Sequence, residues 1–170
     1  MKKLILLSAI AFVISITIGF FITNVNAEES KFRVTNYLVK MEYTPVADVD
    51  KHVVGTYERR GIAVFENGEV AAYHTLGTFD FVDSNGPFHG YTTLTYKDGS
   101  TTMLSYDAIM TKESGNMPTL KGKGDYIKGT GKYEGIKGTV SFTGDYITPY
   151  NKETKGDIVV NASSSYTLPK

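Results

Sequence analysis

Four glycines crowd into ten residues near the end of the chain. Gly129, Gly131, Gly135 and Gly138 surround Tyr133 and Ile136, just before an alternating run. Glycine reaches backbone conformations closed to other residues, so such a cluster makes a sharp corner, and its apolar members anchor it. Gly129-Thr130-Gly131 superficially looks like a phosphate cradle. A dinucleotide fingerprint would place its third glycine at 134, where the chain has Glu134, and would need a strand–helix unit around it. No Gly-Lys-Ser/Thr follows to make a P-loop either. The cluster is therefore read as a structural turn, with Tyr133 and Ile136 plugging the end of a β structure.

The surrounding sequence supports a β setting. With 12 Tyr, 9 Phe and 17 Gly, the composition suits pleated, strongly coiled strands. Phe32–Thr44 alternates, with Thr35, Tyr37, Val39, Met41 and Tyr43 on the more apolar side. Val53–Glu58 and Gly61–Phe65 read as two short strands. Glu66-Asn67-Gly68-Glu69 is a hairpin turn, since Asn and Gly both tolerate positive φ. Val70–Val82 is a long strand, with Gly77 marking a bend or bulge. Asp83–Pro87 is a second turn. Gly90–Tyr96 pairs with Thr101–Thr111 across Lys97-Asp98-Gly99-Ser100. After a loop at Glu113–Pro118, Leu120–Ile127, Thr139–Thr148 and Asp157–Leu168 complete eight or nine strands. Hairpin spacing without a helix implies an antiparallel barrel or sandwich. Long strands with glycines at their ends and middles favour the barrel.

The first residues bear on location. Met1-Lys2-Lys3 precedes an apolar run from Leu4 to Ile22, and Val25-Asn26-Ala27 supplies the small residues a signal peptidase accepts. The expectation is a signal peptide over 1–27, cleaved after Ala27, and a single β-barrel domain over 28–170 that is secreted or periplasmic. The run is 19 residues long, near the length of a membrane span. An uncleaved anchor is thus the weaker alternative, and cleavage would leave no stable membrane association. The chain has no Cys, so neither a lipoprotein signal nor disulfides apply. Without Lys2 and Lys3 it carries 16 basic and 18 acidic residues, a net of −2, interspersed. That argues against nucleic acid and anionic membranes as partners.

The segment 127–138 resembles the Gly-x-Gly-x-aromatic-x-Gly-x-x-Gly signature of the allene oxide cyclase-like and dirigent barrels. Gly90-Tyr91-Thr92 and Asp98-Gly99-Ser100 fit the same pattern, and the likeness spans roughly 60–149. The resemblance implies an all-β, eight-stranded antiparallel (calycin-like) barrel with an apolar cavity, trimeric in many plant members. The cyclases close a ring on a fatty-acid epoxide, the dirigent proteins steer coupling of phenoxy radicals, and neither uses a cofactor. The cyclase family carries a glutamate on its first strand. Glu42 is the candidate here, but its neighbours depart from the family pattern, and it alternates with Asn36, Lys40 and Thr44. The aspartates and arginine of dirigent sites find no match residue by residue.

Other candidates come from the residues themselves. His74 and Asp80 share a face of Val70–Val82, and a His with a carboxylate could run acid–base chemistry. Six residues of strand hold them roughly 20 Å apart, so pairing needs a hard bend. Arg59-Arg60, the one arginine pair, could bind a carboxylate bidentately, although more often such a pair caps a turn on the surface. Three scattered His without Cys do not make a metal site. Tyr37, Tyr73, Tyr91 and Tyr106 are candidates to line a ligand pocket, or simply to pack. Three functions remain open: a non-catalytic barrel binding a small apolar molecule or forming a homo-oligomer, a cofactor-free cyclase or isomerase, and a structural domain with a filled core. An inward Glu42 or His74 would favour the isomerase.

Overall fold

The computed structural model describes residues 27–151 and 153–169. The export signal read over 1–27 lies outside the described residues, Ala27 excepted. Eight strands follow: β1 (Glu28–Pro45), β2 (His52–Phe65), β3 (Val70–Val82), β4 (Gly86–Tyr96), β5 (Thr101–Thr111), β6 (Thr119–Thr130), β7 (Lys137–Tyr146) and β8 (Ile158–Thr167). Each pairs antiparallel with the next, and β8 pairs back with β1. The result is a closed up-and-down barrel, which leaves no free sheet edge. The barrel, not the sandwich, is the observed architecture.

Alternation sorts each strand into a wall with two faces. Val34, Ala63, Ala71, Leu94, Leu104 and Val140 point inward and are buried. Arg33, Lys121, Lys123 and Asp125 stand on the exposed outer face.

Three expectations about the strands need correction. Val53–Glu58 and Gly61–Phe65 are one strand, β2, paired without a break to β3. Arg59-Arg60 reads as a turn from its charge, yet its backbone continues the ladder. Gly77 is no bulge either, since it holds regular register with Tyr57 on one side and Gly90 on the other. Finally, the inward face of β1 changes along its length. Phe32, Val34, Asn36 and Leu38 are buried, whereas Thr35, Tyr37 and Val39 are exposed. The β1–β2 register slips between Leu38 and Lys40. This bulge spends one residue and reverses the parity, so Met41 and Tyr43 face inward beyond it. A single alternating face drawn through all of β1 is therefore right only in its second half.

The glycine corner closes one end of the barrel. Gly131–Tyr133 forms a turn of 3-10 helix between β6 and β7. Gly131 (φ +60°) and Gly135 (φ +73°) occupy the left-handed region. At Gly129 the demand is for space, because a Cβ there would sit 2.0 Å from the Tyr133 carbonyl oxygen. Tyr133 and Ile136 are buried. The Tyr133 ring packs 4.6 Å from Tyr96 and 6.4 Å from Tyr166. Lys132 ties the corner to both hairpin turns at this end. Its ammonium donates to Glu69 and lies 3.6 Å from Asp98, above the Tyr96 ring at 5.0 Å.

Candidate functional site

From the aromatic plug to the opposite rim the barrel is hollow. The cavity measures about 620 Å³. Its rim is built by the β3–β4 turn at Ser84, the β5–β6 loop at Lys112 to Pro118, and the β7–β8 loop at Pro149, Tyr150 and Gly156. Glycine helps to make the room. A Cβ at Gly77 would lie 2.4 Å from the Tyr57 hydroxyl, and one at Gly90 would lie 2.4 Å from the Tyr106 hydroxyl.

The wall is two-sided. On β6, β7 and β8 it is aliphatic and aromatic: Leu120, Val140, Phe142, Ile158, Val160 and Ala162. On β1 to β5 it carries a polar band of Asn36, Tyr57, Arg59, Tyr73, Thr75, Thr92 and Tyr106, set among Leu94, Leu104 and Phe88. The band is internally bonded. The Tyr57 and Tyr106 hydroxyls lie 2.5 Å apart. Tyr106 is 3.0 Å from the Thr75 hydroxyl, and Thr92 donates to Thr75 at 3.1 Å. Burial pushes the Tyr57, Tyr73 and Tyr106 phenols up, above the ordinary range, so all three stay protonated at neutral pH.

Arg59 is the main surprise. It is 8% exposed and lines the cavity. Its Nε donates to Asn36 Oδ1 at 2.5 Å, Nη2 donates to the Gly156 carbonyl, and the Tyr146 ring lies 5.5 Å from the guanidinium carbon. Among the described residues no carboxylate forms an ion pair with it. The pair caps no turn: Arg60, within β2, is on the surface and bonds Glu58 at 3.2 Å, while Arg59 is inside. The signal for Arg59 was present: Tyr57, Arg59, Gly61, Ala63 and Phe65 alternate on one face, and four of those five suit an interior. Cutting the strand at Arg59-Arg60 hid it. Asn36 was missed for the related reason that the bulge obscured which face of β1 points inward.

The residues singled out from sequence fall into two groups. Tyr73 and Tyr106 line the cavity. Tyr37 and Tyr91 stand on the outer surface, 46% and 50% exposed. Glu42 is also outside, paired with Lys40 at 2.9 Å. His74 and Asp80 do share the outer face of β3 but do not meet. His74 Nε2 lies 2.9 Å from Glu58, and Asp80 lies 2.7 Å from His52 Nε2. His89 sits within β4 and bonds Asp107 at 3.0 Å.

No family model and no curated protein matches the sequence. The barrel is similar to two pterocarpan synthase dirigent proteins. One, PsPTS1, shares 12% identity over 84% of this chain and 97% of its own, with a TM-score of 0.48. The other, GePTS1, shares 12% identity over 95% of this chain and all of its own, with a TM-score of 0.45. The likeness concerns the barrel and carries nothing about the residues of the cavity.

Proposed function

We propose that this protein is an exported, non-catalytic barrel that holds one small, largely apolar molecule in its lumen. The carrying observation is the cavity itself: about 620 Å³, blind at the aromatic plug and walled mainly by carbon. That volume falls within the roughly 300–1,000 Å³ of small-molecule sites. A domain with a filled core would have no such space. The isomerase reading loses its three acid–base candidates, because Glu42, His74 and Asp80 stand on the outer face. The ionisable groups that do reach the lumen are Lys51, Lys112, Arg59 and tyrosines. The buried tyrosines hold their protons near neutral pH, so they can bind and orient a guest but are poorly matched to taking a proton from it.

The test uses N-phenyl-1-naphthylamine, an apolar dye that brightens out of water. The protein is expected to bind it one to one. Val140→Trp, which fills the aliphatic wall, is expected to abolish binding while the circular dichroism spectrum stays that of a β-barrel. Dye fluorescence unchanged by Val140→Trp would overturn the reading. Native mass spectrometry of protein from its own host should then show one added small mass per chain.

A further inference from the structure

The polarity of the lumen narrows the class of guest. Among the lining residues are three cations, Lys51, Arg59 and Lys112, and no aspartate or glutamate. Lys51 at the rim is partly neutralised by Asp83 at 3.2 Å, and both are exposed to water. Arg59 is different, since its charge is more than nine-tenths buried and its protein partners are neutral: an amide oxygen, a carbonyl and an aromatic ring. Burying a cation without a counter-charge costs stability, and the usual arrangement pairs it with a carboxylate. The fold instead fixes this guanidinium from one side. Two of its five N–H donors are used by Asn36 and Gly156, the Tyr146 side chain lies within hydrogen-bonding reach, and the guanidinium forms part of the cavity wall. A planar fork so held matches a planar oxyanion two bonds at a time.

We infer that the lumen recognises an amphipathic organic acid, its carboxylate docked on Arg59 and its hydrocarbon body laid against the β6–β8 wall. The polar band around Arg59 completes the subsite. The Asn36 side chain already orients the guanidinium, and the Tyr57 and Tyr106 hydroxyls, bonded to each other, stand in the same wall. The opposite wall offers Leu120, Val140, Phe142 and Val160, with Tyr146, which faces Arg59, as the polar side chain at its end. An uncharged guest of equal shape would leave Arg59 unpaired and desolvated, and that difference is the source of selectivity. This inference rests on the barrel being a ligand site, as proposed above, and adds the chemistry of the head group.

Matched pairs separate the two. Displacement of N-phenyl-1-naphthylamine is measured with decanoate against 1-decanol and with cinnamate against cinnamyl alcohol, at pH 7.5. The linear and aromatic pairs distinguish a chain-shaped guest from a ring-shaped one. The acid of at least one pair is expected to bind about tenfold or more tightly than its alcohol, the margin of a charge-assisted bond. Arg59→Gln should remove that margin while alcohol binding persists. Arg59→Lys, which keeps the charge and loses the fork, should retain part of it, and thermal melts report whether each variant folds. Equal affinity of acid and alcohol for the unaltered protein would overturn the inference and leave the apolar-site reading standing. Failure of every compound, and of the dye, to bind would overturn both. The comparison within the unaltered protein decides the matter even if the Arg59 variants do not fold.

Discussion

Gly77 and Gly90 are cross-strand partners, and each makes room for one hydroxyl of the Tyr57–Tyr106 pair. Neither glycine has a positive φ, so their role here is space and not backbone freedom. An added Cβ at Gly90 would meet the Tyr106 ring carbon at 2.6 Å and the Leu76 carbonyl oxygen at 2.7 Å. Gly90→Ala is therefore expected to lower stability by about 1–3 kcal/mol, the range for overpacking. Urea denaturation checks it. A midpoint equal to that of the unaltered chain would show that the tyrosine pair yields freely, and that its position is not fixed by these glycines.

The buried phenols give the barrel a stability limit at high pH. Burial raises the ionisation of Tyr57, Tyr73, Tyr96, Tyr106, Tyr126, Tyr133, Tyr146 and Tyr166 above the ordinary value of 10.0, to about 12 for Tyr133. In the unfolded chain they lose protons near pH 10, while in the folded barrel they keep them. The unfolded state thus binds fewer protons above pH 10, and stability falls as pH rises. Absorbance at 295 nm and far-ultraviolet circular dichroism are expected to change together in a cooperative alkaline transition. Complete tyrosine ionisation with the β signal intact would contradict the burial of these rings.

The barrel was legible because its evidence is local. Asn67-Gly68 and Asp98-Gly99 fix two hairpins within a few residues each, and the corner glycines fix the turn from β6 to β7. The lumen was not, because its contents depend on register. Val39 gives no sign in sequence of being the residue that the β1–β2 ladder skips, yet it decides that Asn36 and Tyr43 face inward together. Tyr73 and Tyr106 could not be told from Tyr37 and Tyr91 by residue type, as all four sit in alternating strands. Gly77 was visible as an interruption, but its purpose appears only when Tyr57 is set opposite it.

Lys132 makes the corner sensitive to charge as well as to shape. Its hydrogen bond to Glu69, strengthened by the charges of Glu69 and Asp98, raises its pKa above 10.5. The group is well exposed, so the ion pairs themselves contribute little. Gly131 matters more, because its φ of +60° is costly for an L residue and its Cβ would lie 2.5 Å from Ser100 Oγ. Lys132→Met is expected to change stability by less than about 1 kcal/mol, whereas Gly131→Ala should cost about 1–2 kcal/mol. Denaturant titrations of the two variants side by side test the order. The reverse order would mean that the corner is held by charge and not by its backbone.

His52 bridges two carboxylates, with Nε2 2.7 Å from Asp80 and Nδ1 2.5 Å from Asp48. Serving both needs two N–H donors, which only the imidazolium has. The hydrogen bond to Asp80, and next the one to Asp48, raise the His52 pKa above its ordinary 6.5. The contact with His52 in turn lowers Asp48 below 3.8. Since the His52 value is raised, its contribution is whole below pH 6.5 and is lost as pH climbs through the folded value. The Asp48 contribution runs the other way: present above 3.8, lost as pH falls through its lowered value. The bridge is therefore intact between about pH 4 and 6.5, where it ties the β1–β2 loop to β3 beside the cavity rim. The His52 ring is expected to titrate by NMR with a midpoint above 6.5, and Asp80→Asn should bring that midpoint down. Melting temperature should drift downward between pH 6 and 8.5, and His52→Gln should flatten the drift. A His52 midpoint at or below 6.5 would mean that the bridge does not persist in solution.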